Sequence, residues 1–116
     1  MTDVVVVKFG GGLITNKAKL CTPDLAIIEQ LVAVVKRCLE SGLQVIVVHG
    51  AGSFGHLRAK YWRLNEGLLP GVEFAVQDDC SSQKEAVSLV RKDMLTLNNL
   101  IINAVSYTHL RAHETR

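Results

Sequence analysis

The sequence predicts an α/β fold built on parallel strands, and three observations carry that prediction. Two short runs, Val4-Val5-Val6-Val7-Lys8-Phe9 and Val45-Ile46-Val47-Val48-His49, are β-branched without alternation, the pattern of strands buried on both faces of a parallel sheet. The segment between them has helical periodicity and is long enough for a crossover connection. Each run stops abruptly in glycine, at Gly10-Gly11-Gly12 after the first and at Gly50 to Gly55 after the second.

The elements follow in chain order. After the first glycine loop, Thr22-Pro23-Asp24 reads as an N-cap, a proline at the first helical position and an acid in the first turn. Leu25, Ile28, Leu31, Val32, Val35 and Leu39 recur at helical spacing, with Glu29, Lys36, Arg37 and Glu40 on the other face. Gly42 stands where a C′ glycine would end that helix. The two strands and this helix make a βαβ unit, which pairs the strands in parallel through a right-handed crossover. Beyond the second glycine loop a short helix is expected from about Ser53 to Tyr61, then loop from Arg63 to Gly71. A long helix is expected from about Glu73, because Val76, Cys80, Val87, Val90, Met94, Leu97, Ile101 and Ala104 step by threes and fours like a core-facing stripe. Ser106 to Arg116 has no apolar face and resembles a read-through tail carried by unrelated incomplete environmental sequences. The chain thus divides into residues 1–105, a folded part, and 106–116, an expected non-native tail. His109 and His113 in that tail have a metal-compatible spacing but no third ligand, so no metal site is assigned.

Composition bounds the function classes. A chain of 116 residues holds one small domain or half of a larger one. Its 48% hydrophobic and 21% charged residues are those of an ordinary globular protein. A net charge of +2 without a basic block argues against a dedicated nucleic-acid binder. No apolar run is long enough to span a membrane, and Asp3 stands where a signal peptide would be basic. Cys21, Cys38 and Cys80 are an odd count without metal spacing, so reduced thiols and a cytoplasmic location are expected.

Both glycine loops follow the carboxyl ends of adjacent parallel strands, the edge at which open α/β sheets bind ligands. Glycine lets backbone amides approach an anion, and phosphate is the natural ligand there. Three kinds of phosphate site compete. No Walker A string occurs. Gly50-Ala51-Gly52-Ser53-Phe54-Gly55 matches the dinucleotide pattern, yet it sits on the second strand and no ribose-binding acid follows on a further strand. The third reading adds cations. Lys8 interrupts an otherwise apolar strand end, and Lys17 lies beyond the first loop. Two mobile ammonium groups beside two amide nests suit phosphoryl transfer, where catalysis is mainly positioning and electrostatics. His56, beside the second loop, is placed to donate to a phosphate on an acceptor.

At these residues the sequence resembles the amino-acid kinase superfamily and, within it, the isopentenyl phosphate kinases. The matching strings are Lys8-Phe9-Gly10-Gly11-Gly12…Thr15-Asn16-Lys17 and His49-Gly50-Ala51-Gly52-Ser53-Phe54-Gly55-His56, with Leu97-Asn98-Asn99-Leu100 late in the long helix. The histidine after Phe-Gly is the sharper signal. The resemblance implies an incomplete three-layer α/β/α sandwich with a mainly parallel sheet. It implies ATP-dependent phosphorylation of isopentenyl phosphate to the diphosphate, with Mg2+, and homodimers are common in the superfamily. Lys8, Gly10, Gly11, Gly12 and Gly52 would face ATP phosphates. Lys17 would stabilise the transferring phosphoryl group, while Ala51, Gly55 and His56 would hold the acceptor phosphate. The long helix and the loop before it, with Val76 and Cys80, would wall the isoprenoid tail.

Two positions depart from the family pattern: Gly12 replaces a usual serine, and Glu73-Phe74 stands where Gly-Phe is common. Family members are longer, and their C-terminal part supplies most of the nucleobase site, so this chain is expected to be inactive by itself. The rival readings are a superfamily kinase acting on a carboxylate or phosphonate, and a non-catalytic phosphate-binding module.

Overall fold

The computed structural model describes residues 3–76 and 78–114, with side chains through Tyr107. Strand β1 (Val4–Phe9) leads through a single helical turn, α1 (Gly11–Ile14), and a loop into helix α2 (Leu25–Glu40). Strand β2 (Gln44–His49) then pairs in parallel with β1, in register from Val4 opposite Gln44 to Phe9 opposite His49. The backbone bonds Gln44 N–H to Asp3 O and Gly50 N–H to Phe9 O extend the pairing at both ends. A 3₁₀ turn (Gly52–Phe54), helix α3 (His56–Tyr61) and a second 3₁₀ turn (Leu64–Glu66) precede the long helix α4 (Gln83–Glu114).

The expected βαβ unit is present, and its caps show why the chain turns where it does. Gly42 has φ +84°, and its N–H and that of Leu43 bond Leu39 O and Cys38 O. That is the Schellman arrangement closing α2, with glycine where the left-handed conformation is needed. At the other end the cap is Asp24 rather than Thr22, because the Asp24 carboxylate accepts from Ile27 N–H at 3.2 Å. Thr15 and Pro23 form an antiparallel bridge, so Pro23 closes a loop ahead of the helix instead of opening its first turn. Leu25, assigned to the core stripe by spacing, is 58% exposed on that first turn.

Helices α2 and α4 pack side by side on one face of the sheet. Ile28, Val32 and Val35 of α2 meet Leu97 and Ile101 of α4, with Phe9, Ile14 and Phe54 completing the buried core. Val7, Val45 and Val47 point into it from the strands. The other face is uncovered among the described residues: Val4, Val6, Ile46 and Val48 are exposed. The expectation of strands buried on both faces is therefore met on one face only. The described residues form a sheet layer and one helical layer, two layers of the incomplete sandwich that the resemblance implies, because no described element packs on the second face.

The long helix begins at Gln83, ten residues later than the apolar stripe suggested, so Val76 and Cys80 lie in the preceding loop. Ser82 Oγ accepts from Glu85 N–H, and the Glu85 carboxylate accepts from Ser81 N–H and Ser81 Oγ–H. This reciprocal capping sets the start of α4. From there the stripe runs as spacing predicted, with Leu97 and Ile101 buried and Val87, Val90, Met94 and Ala104 half-buried. His109 and His113 fall on the α4 backbone, but their side chains lie outside the described residues. Among the described residues no helix is long and apolar enough to cross a membrane. The three cysteines are free and half-buried.

Candidate functional site

The parallel pairing brings the ends of β1 and β2 side by side, and so sets their glycine loops in backbone-to-backbone contact. A Cβ on Gly11 would overlap the backbone nitrogens of Ala51 and Gly52, and one on Gly50 would come 2.8 Å from Gly11 N. Gly52 adopts φ +50°, and a Cβ there would overlap Thr15 Oγ1 and Gly11 O. Side chains at these positions would force the loops apart.

Two hydroxyl residues hold the loops in this arrangement. Buried Thr15 donates its Oγ1–H to Gly11 O at 2.7 Å and accepts Ser53 N–H at 3.0 Å. Ser53, fully buried, accepts Thr22 N–H on Oγ at 3.2 Å, while its carbonyl accepts Cys21 N–H. One hydroxyl therefore links the first loop to the second, and the other ties the second to the segment entering α2. Sequence reading passed over both as functional residues. The signal was a small hydroxyl residue inside or just after each glycine run. At the end of β2, His49 lies within hydrogen-bond distance of Gly50 O and of the Asn98 side chain on α4.

The loops keep donors for something other than protein. The amides of Gly11, Gly12, Ala51 and Gly52 bond no acceptor among the described residues, whereas those of Leu13, Ile14, Ser53, Phe54 and Gly55 are all taken up. Lys17 stands at the tip of the loop closed by the Thr15–Pro23 bridge, and its side chain folds back over Gly12. A Cβ on Gly12 would sit 2.5 Å from Lys17 Cε and 3.2 Å from Nζ. The glycine that departs from the usual serine thus makes room for the lysine chain. Lys8 is exposed on the uncovered face of the sheet, one residue before the strand ends. His56 is exposed at the first position of α3, directly after Gly55. Among the described residues neither lysine has a carboxylate partner, and no hydrogen bond joins Lys8, Lys17 and His56 to one another. A phosphate-sized anion would meet open amides and unpaired cations, an arrangement suited to neutralising and orienting it.

Charge is handled differently two residues along α3. Arg58 is 3% exposed and forms two parallel bonds to Asp78, Nε to Oδ2 at 2.8 Å and Nη2 to Oδ1 at 2.9 Å, with a third bond to Asp93 of α4. Trp62 Nε1–H and Asp79 N–H also donate to Asp78. The Arg58 hydrogen bonds, helped by those of Trp62 and Asp79, hold the Asp78 carboxyl well below the usual carboxylate range despite its burial. Burial, with the neighbouring Asp93, pushes the Cys21 thiol up to about 11. Sequence reading missed this cluster entirely. Arg58 stands 20 residues from Asp78 and 35 from Asp93, and the three share no motif.

Beyond this cluster, at the Trp62 end of α3, the loop before α4 and the first turn of that helix enclose a pocket of about 830 Å³. Trp62, Leu69, Pro70 and Phe74 supply its apolar wall, with Gln83 at its base. Gln83 is buried and pins the loop, donating to Trp62 O and Gly67 O and accepting from Leu69 N–H. Val76 and Cys80, expected to line an apolar wall, are not among the pocket residues, and Cys80 Sγ lies instead against Asp78.

Comparison with known proteins agrees with the fold. Residues 3–114 match the sequence profile of the Amino acid kinase family. Isopentenyl phosphate kinase from Thermoplasma acidophilum is 32% identical over 106 residues, which are 88% of this chain and 36% of that protein. A crystal structure of the T. acidophilum isopentenyl phosphate kinase product complex superposes with a TM-score of 0.68 at 30% identity, over 93% of this chain and 40% of the other. An isopentenyl phosphate kinase substrate complex gives 0.63 at 28% identity, over 93% of this chain and 39% of the other. The chain therefore spans well under half the length of these relatives. Profile, superposition and the paired glycine loops agree, and the chain belongs to the amino acid kinase family.

Proposed function

We propose that this chain is the phosphate-handling part of an isopentenyl phosphate kinase, which transfers the γ-phosphoryl group of ATP to isopentenyl phosphate. The observation that carries the reading is the pair of glycine loops in backbone contact, with four unpartnered amides and the Lys17 side chain over Gly12. The similarity to the T. acidophilum isopentenyl phosphate kinase supports a phosphate monoester as the acceptor.

In this reading the amides of Gly11, Gly12 and Gly52 and the ammonium of Lys8 hold the ATP phosphates, and Gly10 sets the entry of the loop. Ala51, Gly55 and His56 hold the acceptor phosphate, with His56 donating a hydrogen bond. Lys17 neutralises charge on the phosphoryl group as it passes between them, which is where electrostatic stabilisation lowers a phosphoryl-transfer barrier. Mg2+ bound to ATP supplies further charge neutralisation. Among the described residues no group of three or more His, Cys, Asp or Glu side chains could hold a metal ion, so these residues provide no ligand set of their own for it. The exposed face bearing Val4, Val6, Ile46 and Val48 is the one a further layer of a longer protein would cover.

Titration of the 15N-labelled chain with isopentenyl phosphate tests the reading. The Ala51 and Gly52 amides and the His56 ring should shift, with saturation at lower concentration than for a carboxylate such as acetate. Equal response to both ligands, or none at the glycine loops, would remove the phosphate-acceptor assignment. In the complete enzyme, Lys17→Ala should lower kcat far more than it raises KM, whereas His56→Ala should chiefly raise KM for the acceptor.

A further inference from the structure

We propose that Asn98 is a positioning residue for the second glycine loop, acting through the His49 ring on the peptide between Gly50 and Ala51. The inference rests on the phosphate-binding reading of that loop and adds to it a residue of α4, outside both loops. His49 ends β2, and its half-buried ring bridges the loop and the core helix: Nδ1 lies 3.0 Å from Gly50 O, and Nε2 lies 3.0 Å from Asn98 Oδ1. Asn98 follows Leu97, which is fully buried, so its place on α4 is set by the packed core.

The hydrogen-bond chemistry of this chain of groups is restrictive. A carbonyl oxygen only accepts, so Nδ1 must carry a proton to bond Gly50 O. In the neutral ring Nε2 is then a bare acceptor, and Asn98 must present its NH2 group. In the imidazolium Nε2–H donates to Asn98 Oδ1, the atom that faces it, and the neutral ring is the state that needs the amide turned over. An asparagine satisfies both states, and the ring keeps its bond to Gly50 in each.

That bond matters because the peptide unit is planar and trans, so Gly50 O and Ala51 N–H point in opposite directions. Anchoring the oxygen on His49 directs Ala51 N–H away from the ring, and this N–H has no acceptor among the described residues. Gly50 N–H is held by Phe9 O at 3.1 Å, so the peptides on both sides of a conformationally free glycine are fixed. Without the ring bond, the Gly50–Ala51 peptide is free to rotate and its amide loses its aim. Asn99, its neighbour in the same motif, is exposed and makes no side-chain bond, which makes it a matched control.

The test uses the full 116-residue chain, 15N-labelled, with inorganic pyrophosphate as probe. The His49 ring should show a protonated Nδ1. Asn98→Leu should move the Ala51 and Gly52 amide resonances in the free protein and weaken pyrophosphate binding roughly tenfold, the scale of one buried group losing its partner. Asn98→Gln, which keeps an amide able to donate to Nε2 or to accept from it, should restore part of the binding, and Asn99→Ala should match wild type. A wild-type ring protonated on Nε2 alone overturns the proposal, as do unmoved Ala51 and Gly52 resonances in Asn98→Leu. If pyrophosphate does not bind wild type but those resonances still move in the variant, positioning stands and the phosphate-binding reading falls.

Discussion

At the start of α3, exposed His56 and the adjoining glycine loops leave cations and amides without partners among the described residues; one residue beyond Leu57, Arg58 is buried and bonded through three of its nitrogens. The same short helix thus separates a region whose polar groups are open from one whose polar groups are spent on each other. Burying an ion costs several kcal/mol, which is recovered only where geometry and hydrogen bonding are complete, as they are around Asp78. Lys8 and Lys17 remain in water, where an unpaired charge costs little and stays available to an anion. The contrast separates residues that hold the fold from residues that meet a ligand, and each can be broken without the other.

The largest effect is expected at the closed end. Asp78→Ala leaves Arg58 buried with Asp93 alone, and denaturant unfolding should show a loss of about 3–5 kcal/mol. The same carboxylate makes stability pH-dependent. Its folded pKa lies below the unfolded value near 4, so its contribution is complete above about pH 5. It fades as pH falls through 4 and below, because the unfolded chain takes up the proton first. Asp78→Asn should flatten that acid limb, and an unchanged limb would place the dependence elsewhere.

At the open end the backbone, not charge, carries stability. Gly52→Ala puts a Cβ into Thr15 Oγ1 and Gly11 O at φ +50°, and should cost about 2 kcal/mol or more by thermal unfolding while also pushing the loops apart. Thr15→Val removes the hydroxyl link between the loops at nearly constant shape and should cost about 1–3 kcal/mol, leaving Ser53 N–H unsatisfied. Lys17→Ala sharpens the comparison from the other side. Its stability should stay within about 0.5 kcal/mol of wild type, while affinity for pyrophosphate falls. A comparable loss of stability would mean the lysine braces the loop and is not held ready for a ligand.

Much of the strand and loop framework was legible because it is local. The β-branched runs, the glycine stops and Gly42 each depend on residues a few positions apart, and the structure has both strands, their parallel pairing and the Schellman cap where spacing put them. The misreadings occurred where two local signals competed. Val76 and Cys80 extend the helical stripe, but Ser82-Gln83-Lys84-Glu85 is a capping sequence, and capping decided where α4 begins. Thr22 and Asp24 both suit an N-cap, and the bridge between Thr15 and Pro23 left the role to Asp24.

What the amino-acid sequence determined by itself, then, is the βαβ frame, the two glycine loops and the cations that follow them, because turn chemistry and hydrophobic period act over a few residues. Tertiary structure alone decided that the loops touch through Gly11 and Gly52, that Thr15 and Ser53 fasten them, and that Arg58 meets Asp78 and Asp93. It also decided which face of the sheet is covered, since a valine alternating in a strand is the same residue whether or not a helix packs above it. Contacts between distant residues follow from how packed elements meet, and no spacing along the chain encodes that.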